Sequence, residues 1–96
     1  MHPDAHKDAL AILHLRILIH MAENTPHDFI GEWAFNFRAF TGDGMSRDLV
    51  RVLCRDMTDM GLCFYMRGMM SEEGEPMGAG YGITRKGLEL IQPALD

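Results

Sequence analysis

Apolar and polar positions alternate along the chain in four blocks, with turn-forming residues at Asn24 to Pro26, Thr41 to Gly44 and Ser71 to Gly82 marking the breaks. The first block, from Pro3 or Asp4 to Glu23, predicts a helix with Asp4 as N-cap and Asn24-Thr25-Pro26 as its stop. At about 100° per residue, Leu10, Leu13, Ile17 and Met21 share one face, Leu15 and Leu18 flank it, and only Arg16, His20 and Glu23 are polar opposite. A helix apolar over more than half its circumference needs cover on two sides. In so short a chain the second cover is expected from another subunit, which predicts a homodimer through this helix.

The second block, Asp28 to Phe40, holds Trp33 and four of the five phenylalanines. Helical spacing gathers Phe29, Ile30, Trp33, Phe37 and Phe40 on one side, whereas a strand would gather Trp33, Phe35 and Phe37. Helix accounts for five apolar residues and strand for three, so a helix is expected, with Phe35 left as an exposed aromatic. The third block begins after Thr41-Gly42-Asp43-Gly44, with Ser46 as N-cap and Asp48 in the first turn, and runs to Met60 before Gly61. Leu49, Val50, Val52, Leu53, Met57 and Met60 form its expected buried side, and Arg47, Arg51, Arg55 and Thr58 line the face opposite.

The last block reads as a hairpin and a closing helix. Leu62 to Arg67 alternates, with Leu62, Phe64 and Met66 on one face and Cys63, Tyr65 and Arg67 on the other, and Gly78 to Thr84 returns it. Thr84 then caps a short helix carrying Leu88, Leu90 and Ile91 and ended by Pro93. Gly78-Ala79-Gly80-Tyr81-Gly82 is glycine-rich enough to suggest a nucleotide loop. It lies inside an expected strand, however, where glycine marks a bulge or the close approach of another backbone.

Composition narrows the functions open to this pattern. The 96 residues carry nine Lys or Arg against fourteen Asp or Glu, a net charge of −5, which leaves room for one domain and excludes a protein coated in basic charge. Two cysteines, Cys54 and Cys63, make neither a disulfide framework nor a four-cysteine zinc site. They are expected to pack as small apolar residues. The apolar run Ala9 to Ala22 is interrupted by His14, Arg16 and His20 and is short of a bilayer span. Met1 to Lys7 has no export-signal pattern, so a cytoplasmic location is expected, with no membrane partner. His2 and His6 have helical i, i+4 spacing but no third ligand at matching spacing, and no metal or cofactor is expected. His14, His20 and His27 read as surface or interface residues. Serine occurs only at Ser46 and Ser71, and no nucleophile, base and orienting group can be assembled, so no enzyme is expected.

Helix, helix, turn, helix, Gly61-Leu62, a hairpin, then Tyr81-Gly82-Ile83-Thr84-Arg85-Lys86-Gly87: this order resembles the winged helix-turn-helix regulators of the MarR and PadR type. In those, a recognition helix leads through a Gly-Leu junction into a two-stranded wing and an aromatic-x-(Leu/Ile)-Thr-x-x-Gly stretch. The resemblance covers Ala9 to Ile91, with motif-level detail from Arg47 to Gly87. It implies an α+β fold, three helices followed by a two-stranded β-wing and a short C-terminal helix, and a DNA-binding transcriptional regulator of bacterial or phage type.

On that reading Ser46, Arg47, Arg51, Arg55 and Thr58 are the DNA-binding residues on the recognition helix 46–60. Arg47, nearest the helix N-terminus, would reach a base edge in double-stranded DNA, and Arg51 and Arg55 would bind phosphate with help from Ser46 and the N-terminal amides. The same row also suits a solvated helix face with ion pairs worth about 0.3–0.5 kcal/mol each. Ser71-Glu72-Glu73-Gly74-Glu75-Pro76 at the wing tip is acidic where DNA-reading wings are basic. DNA binding is therefore expected to rest on the helix. An alternative function is a winged-helix protein-interaction module, a phage or bacterial modulator that binds a partner through the acidic wing with Met66, Met69, Met70 and Met77 and through the exposed part of the first helix.

Overall fold

The computed structural model describes residues 3–36, 38–41, 44–70 and 73–95, and for residues 3–10, 41, 77, 94 and 95 the backbone alone. Among these the chain is α+β. It runs α1 (Pro3–Glu23), a 3-10 turn (His27–Phe29), α2 (Arg38–Thr41), α3 (Arg47–Asp59), β1 (Cys63–Met70), β2 (Pro76–Ile83) and α4 (Arg85–Leu95). The two strands form one antiparallel hairpin. No described helix is long and apolar enough to cross a membrane.

α1 begins and ends where its pattern predicts. Asp4 falls inside its first turn, and its side chain lies outside the described residues. The stop is made by side chains that satisfy last-turn carbonyls: Asn24 Nδ2 donates to His20 O at 2.8 Å and Thr25 Oγ1 to Met21 O at 2.5 Å. Ile17, Leu18 and Met21 are fully buried, while Ile12 and Leu15 remain exposed at 59% and 37%.

The long helix expected over Asp28 to Phe40 does not form. Its backbone hydrogen bonds go to β2 instead: Gly31 N donates to Ile83 O at 3.0 Å, Phe35 N to Tyr81 O at 2.8 Å, and Tyr81 N back to Phe35 O at 3.1 Å. A residue whose amide is bonded across to a strand cannot also bond four residues back, so only α2 is helical beyond the 3-10 turn. Phe37 lies outside the described residues. Phe35, expected to be exposed, is half-buried against the core, its ring 6.1 Å from both Phe40 and His20. Phe29 and Trp33 stay partly exposed, stacked edge to face at 5.8 Å.

Glycines admit this crossing segment. A Cβ at Gly80 would collide with the carbonyl oxygen of Phe35, and one at Gly82 with that of Trp33. The glycine-rich stretch is thus a strand over which another backbone lies, as its sequence context predicts. The strands are longer than expected and pair Cys63 with Ile83 and Tyr65 with Tyr81. Register slips between the Met66–Gly80 and Met69–Gly78 pairs, where Gly68 and Gly78 adopt positive φ, a backbone geometry suited to a bulge.

The core gathers Ile17, Leu18 and Met21 of α1, Phe40 of α2, and Val50, Leu53, Cys54 and Met57 of α3, closed by Leu62, Cys63, Ile83 and Ile91. Two expected core residues of α3 lie outside it. Val52 is 56% exposed because it sits roughly 150° round the helix from the centre of the buried arc, and Met60 is 44% exposed because the helix ends at Asp59. α4 continues through Pro93 to Leu95 rather than stopping there. A proline so close to the end of a helix removes one hydrogen bond from its last turn and nothing further along.

Both thiols are free and buried, with Cys63 Sγ 3.9 Å from Met21 Sδ. Burial pushes each up to about 12 from 9.0, with Cys54 adding to the shift at Cys63. The folded chain therefore keeps protons that the unfolded chain releases. That contribution to stability is fully present below pH 9 and disappears as pH rises toward 12. Urea midpoints should fall across this window, and less so in a Cys54→Ala/Cys63→Ala variant compared with its own value at neutral pH. Gly82→Ala should lower stability by about 1–3 kcal/mol, because the Trp33 backbone has to move away. Equilibrium urea unfolding measures it, and an unchanged midpoint would show that the 31–36 segment is not held against β2.

Candidate functional site

The local grammar of α3 sets the direction of its arginine row. Ser46 is extended (φ −72°, ψ 157°) and its Oγ accepts from Leu49 N at 3.1 Å, as an N-cap should. At the other end Gly61 takes φ 80°, Gly61 N donates to Thr58 O at 3.0 Å and Leu62 N to Met57 O at 2.8 Å. This pair of bonds is a Schellman closure, which glycine permits without a Cβ penalty.

The motif Tyr81 to Gly87 ties that end down. Thr84 Oγ1 donates to Gly61 O at 2.7 Å and accepts from Gly87 N at 3.1 Å, so one hydroxyl caps α4 and holds the exit of α3. Thr84 N donates to Leu62 O at 3.1 Å, and Lys86 Nζ reaches Met60 O at 2.9 Å. A Cβ on Gly87 would strike Leu62 O, and Ile83 is fully buried between them and the core. Ile83, Thr84 and Gly87 therefore meet at one junction, while Tyr81, the motif's aromatic position, pairs with Phe35.

Arg47, Arg51 and Arg55 wind round the exposed side of α3, at about 70°, 110° and 150° from the centre of the buried arc, and all three line the side that looks across to the hairpin. Between α3 and the hairpin lies a concavity of about 1020 Å³. Its walls carry five arginines: Arg47, Arg51 and Arg55 from α3, Arg38 from α2 and Arg67 from β1. Among the described residues Asp59 is the one acid lining it. Five of the nine basic residues of an acidic chain thus converge on one hollow.

Tyr65 and Tyr81, directly opposed on the two strands, line the hollow on the hairpin side with ring centroids 5.1 Å apart. The Arg67 guanidinium lies 5.9 Å from the Tyr65 ring centre, within cation–π range. Burial raises the Tyr81 phenol above its ordinary value, with Cys54 and Tyr65 acting the same way, while Arg55 and Arg51 pull it back. The two α3 arginines are therefore close enough to act on the hairpin's inner face.

Of the expected DNA-binding residues, Arg47, Arg51, Arg55 and Thr58 all line the hollow, and Ser46 stands at the head of α3 as its cap. Thr58 is half-buried and its hydroxyl donates to Cys54 O at 2.7 Å. That proton is engaged, so toward a phosphate, itself an acceptor, Thr58 offers packing rather than a hydrogen bond. Sequence reasoning missed Arg38, Arg67, Tyr65 and Tyr81 as members of the site. The alternation along β1 already placed Tyr65 and Arg67 on one face, and that was the available signal. Glu73 and Glu75 are exposed near the hairpin tip, and Glu72 and Ser71 lie outside the described residues.

Other expected sites assemble nothing comparable. No group of three His, Cys, Asp or Glu residues suited to a metal occurs among the described residues, and the side chains of His2 and His6 lie outside them. His14 Nε2 is buried without a hydrogen bond, 3.9 Å from Asp56 Oδ2. The junction itself is testable. Thr84→Val keeps the side-chain shape and removes both hydroxyl bonds, so stability should fall by about 1–3 kcal/mol in urea unfolding. A neutral result would mean that the Thr84 hydroxyl is dispensable, and that packing with the Thr84 N and Lys86 bonds holds the joint.

Compared with protein-family models, with curated proteins and with solved structures, the chain shows a significant match to none of them.

Proposed function

We propose that the protein is a cytoplasmic, winged-helix DNA-binding regulator that presents α3 to the major groove of a duplex. The observation that carries this reading is the convergence, among the described residues, of five arginines and a single acid on the hollow beside α3. The element order supports it: a short helix and a turn before α3, a two-stranded hairpin after it, and an extended segment at Phe35 paired with the second strand. α3 itself suits the task. Arg47, Arg51 and Arg55 recur about every 6 Å along its axis and so span about 12 Å, comparable to the width of a major groove.

Arg47, one residue beyond the cap, is placed to reach a base edge, while Arg51 and Arg55 serve phosphates. The wing tip contributes repulsion, so affinity rests on the helix. A homodimer through α1 would double the contacts and set two recognition helices about 34 Å apart. Exposed Ile12 and Leu15 of α1 are the apolar surface that supports this assembly. The alternative, a hairpin that docks a protein, draws on exposed Met70 beside Glu73 and Glu75. Met66 and Met69 are half-buried, so the apolar area on offer there is smaller than the run of methionines suggests.

Fluorescence anisotropy with short mixed-sequence duplexes, from about 50 to about 200 mM salt, tests the reading. Binding should be present at low salt and fall steeply as salt rises, and Arg51→Ala should reduce the slope of log K against log salt by about 0.9. Absence of binding at low salt, or tighter binding to single strands than to duplexes, would overturn it.

A further inference from the structure

The hairpin is unsuited to DNA when judged by its acidic tip, yet the face it turns to α3 presents the opposite character. Arg67 projects from β1 into the hollow, across from the α3 row, and Arg38 enters from the end of the segment that crosses β2. The Gly68 bulge lies immediately after Arg67, and bulges of this kind re-aim neighbouring side chains. The Tyr65 ring beneath the Arg67 guanidinium gives it a preferred lie. Positive charge therefore stands on two sides of a trough, with an aromatic surface on the hairpin side.

We propose that this trough is a strand clamp: it holds one sugar–phosphate backbone of the duplex whose major groove α3 enters, with Arg38 and Arg67 gripping phosphates from the sides opposite α3. The proposal rests on the duplex-binding reading above and adds to it the residues that embrace the backbone. One strand, not a duplex, is the matching occupant. The arginine row of α3 is about 12 Å long, three or four nucleotide steps at about 3.4 Å of axial rise each, and a strand in the trough meets positive charge from both walls. Tyr65, 46% exposed, offers its ring to the sugars, a contact blind to base identity. The hairpin thus adds affinity through Arg67 on the face turned to α3, while the acidic tip adds none. Backbone contacts of this kind set register and orientation and leave sequence choice to Arg47.

The salt dependence of duplex binding separates the clamp from a helix acting alone. Arg38→Ala and Arg67→Ala should each weaken binding several-fold and lower the salt slope by about 0.9, because each removes one phosphate neutralised. Arg67→Lys should keep the slope, since the charge remains. Arg85→Ala, which removes an exposed arginine that is not part of the trough, should leave the slope unchanged and reports any effect of net charge alone. Circular dichroism of each variant confirms that the fold is intact. If the wild-type chain binds duplex and loses affinity on Arg51→Ala, but Arg38→Ala and Arg67→Ala retain the full slope, the clamp is wrong and α3 acts by itself. If the wild-type chain binds no duplex at all, the functional reading fails and the clamp falls with it.

Discussion

The Thr84 hydroxyl is the hinge pin of the molecule. By donating to Gly61 O and accepting from Gly87 N it fastens the exit of α3 to the start of α4 at the point where the hairpin begins and ends. Everything that gives the chain a usable surface follows from that constraint. The angle between α3 and the hairpin decides whether the arginine row faces open solvent or a second wall. Lys86 on Met60 O, and the tight approach of Gly87 to Leu62, brace the same joint from two further directions. Isolated hydrogen bonds of this kind stabilise by only about 1 kcal/mol each. Their value here lies in direction, since packing alone would leave a two-stranded ribbon free to lean.

A second constraint operates along β2. The segment Gly31 to Phe35 lies over this strand, and Gly80 and Gly82 leave the space its carbonyls occupy. This explains which parts of the fold can be read from sequence. α1, α3 and the Ser46, Gly61 and Thr84 caps are decided within a few residues, and the periodicity and capping rules recover them closely. The stretch 28–40 is decided by partners some fifty residues away. Its aromatics fit a helical wheel as well as they fit anything local, and propensity cannot weigh a strand edge that is not yet built. The glycines of β2 held the missing information, because glycine inside a strand marks another backbone close by. They point to an approach without naming the segment that makes it.

The site was legible in the same partial way. Arg47, Arg51 and Arg55 are visible because helical spacing places them together in sequence. Arg38 and Arg67 are single residues on separate elements, and only the tertiary arrangement brings them to the same hollow. The row winds round the helix, with Arg47 and Thr58 beside the buried arc and Arg55 nearly opposite it. What the wheel cannot supply is the second wall: the hairpin reaches far enough round for all three arginines to line one hollow.

Net charge is a poor guide to what such a surface attracts. The chain carries −5 overall, so a distant polyanion is repelled. Screening at physiological salt limits that repulsion to about 8 Å, a length comparable to the depth of a side-chain-lined hollow. Inside that distance local charge rules, and the charged groups among the described residues that line the hollow are five cations and one anion, with Asp48 on an adjoining hollow beside Arg51 and Arg55. The exposed carboxylates near the hairpin tip act at the rim, where they disfavour any approach that leads with the tip and leave the route along α3 open. On the proposed duplex-binding reading, acidic charge at the tip and basic charge along the hollow would make binding selective for orientation, with a duplex entering along α3 rather than at the hairpin tip.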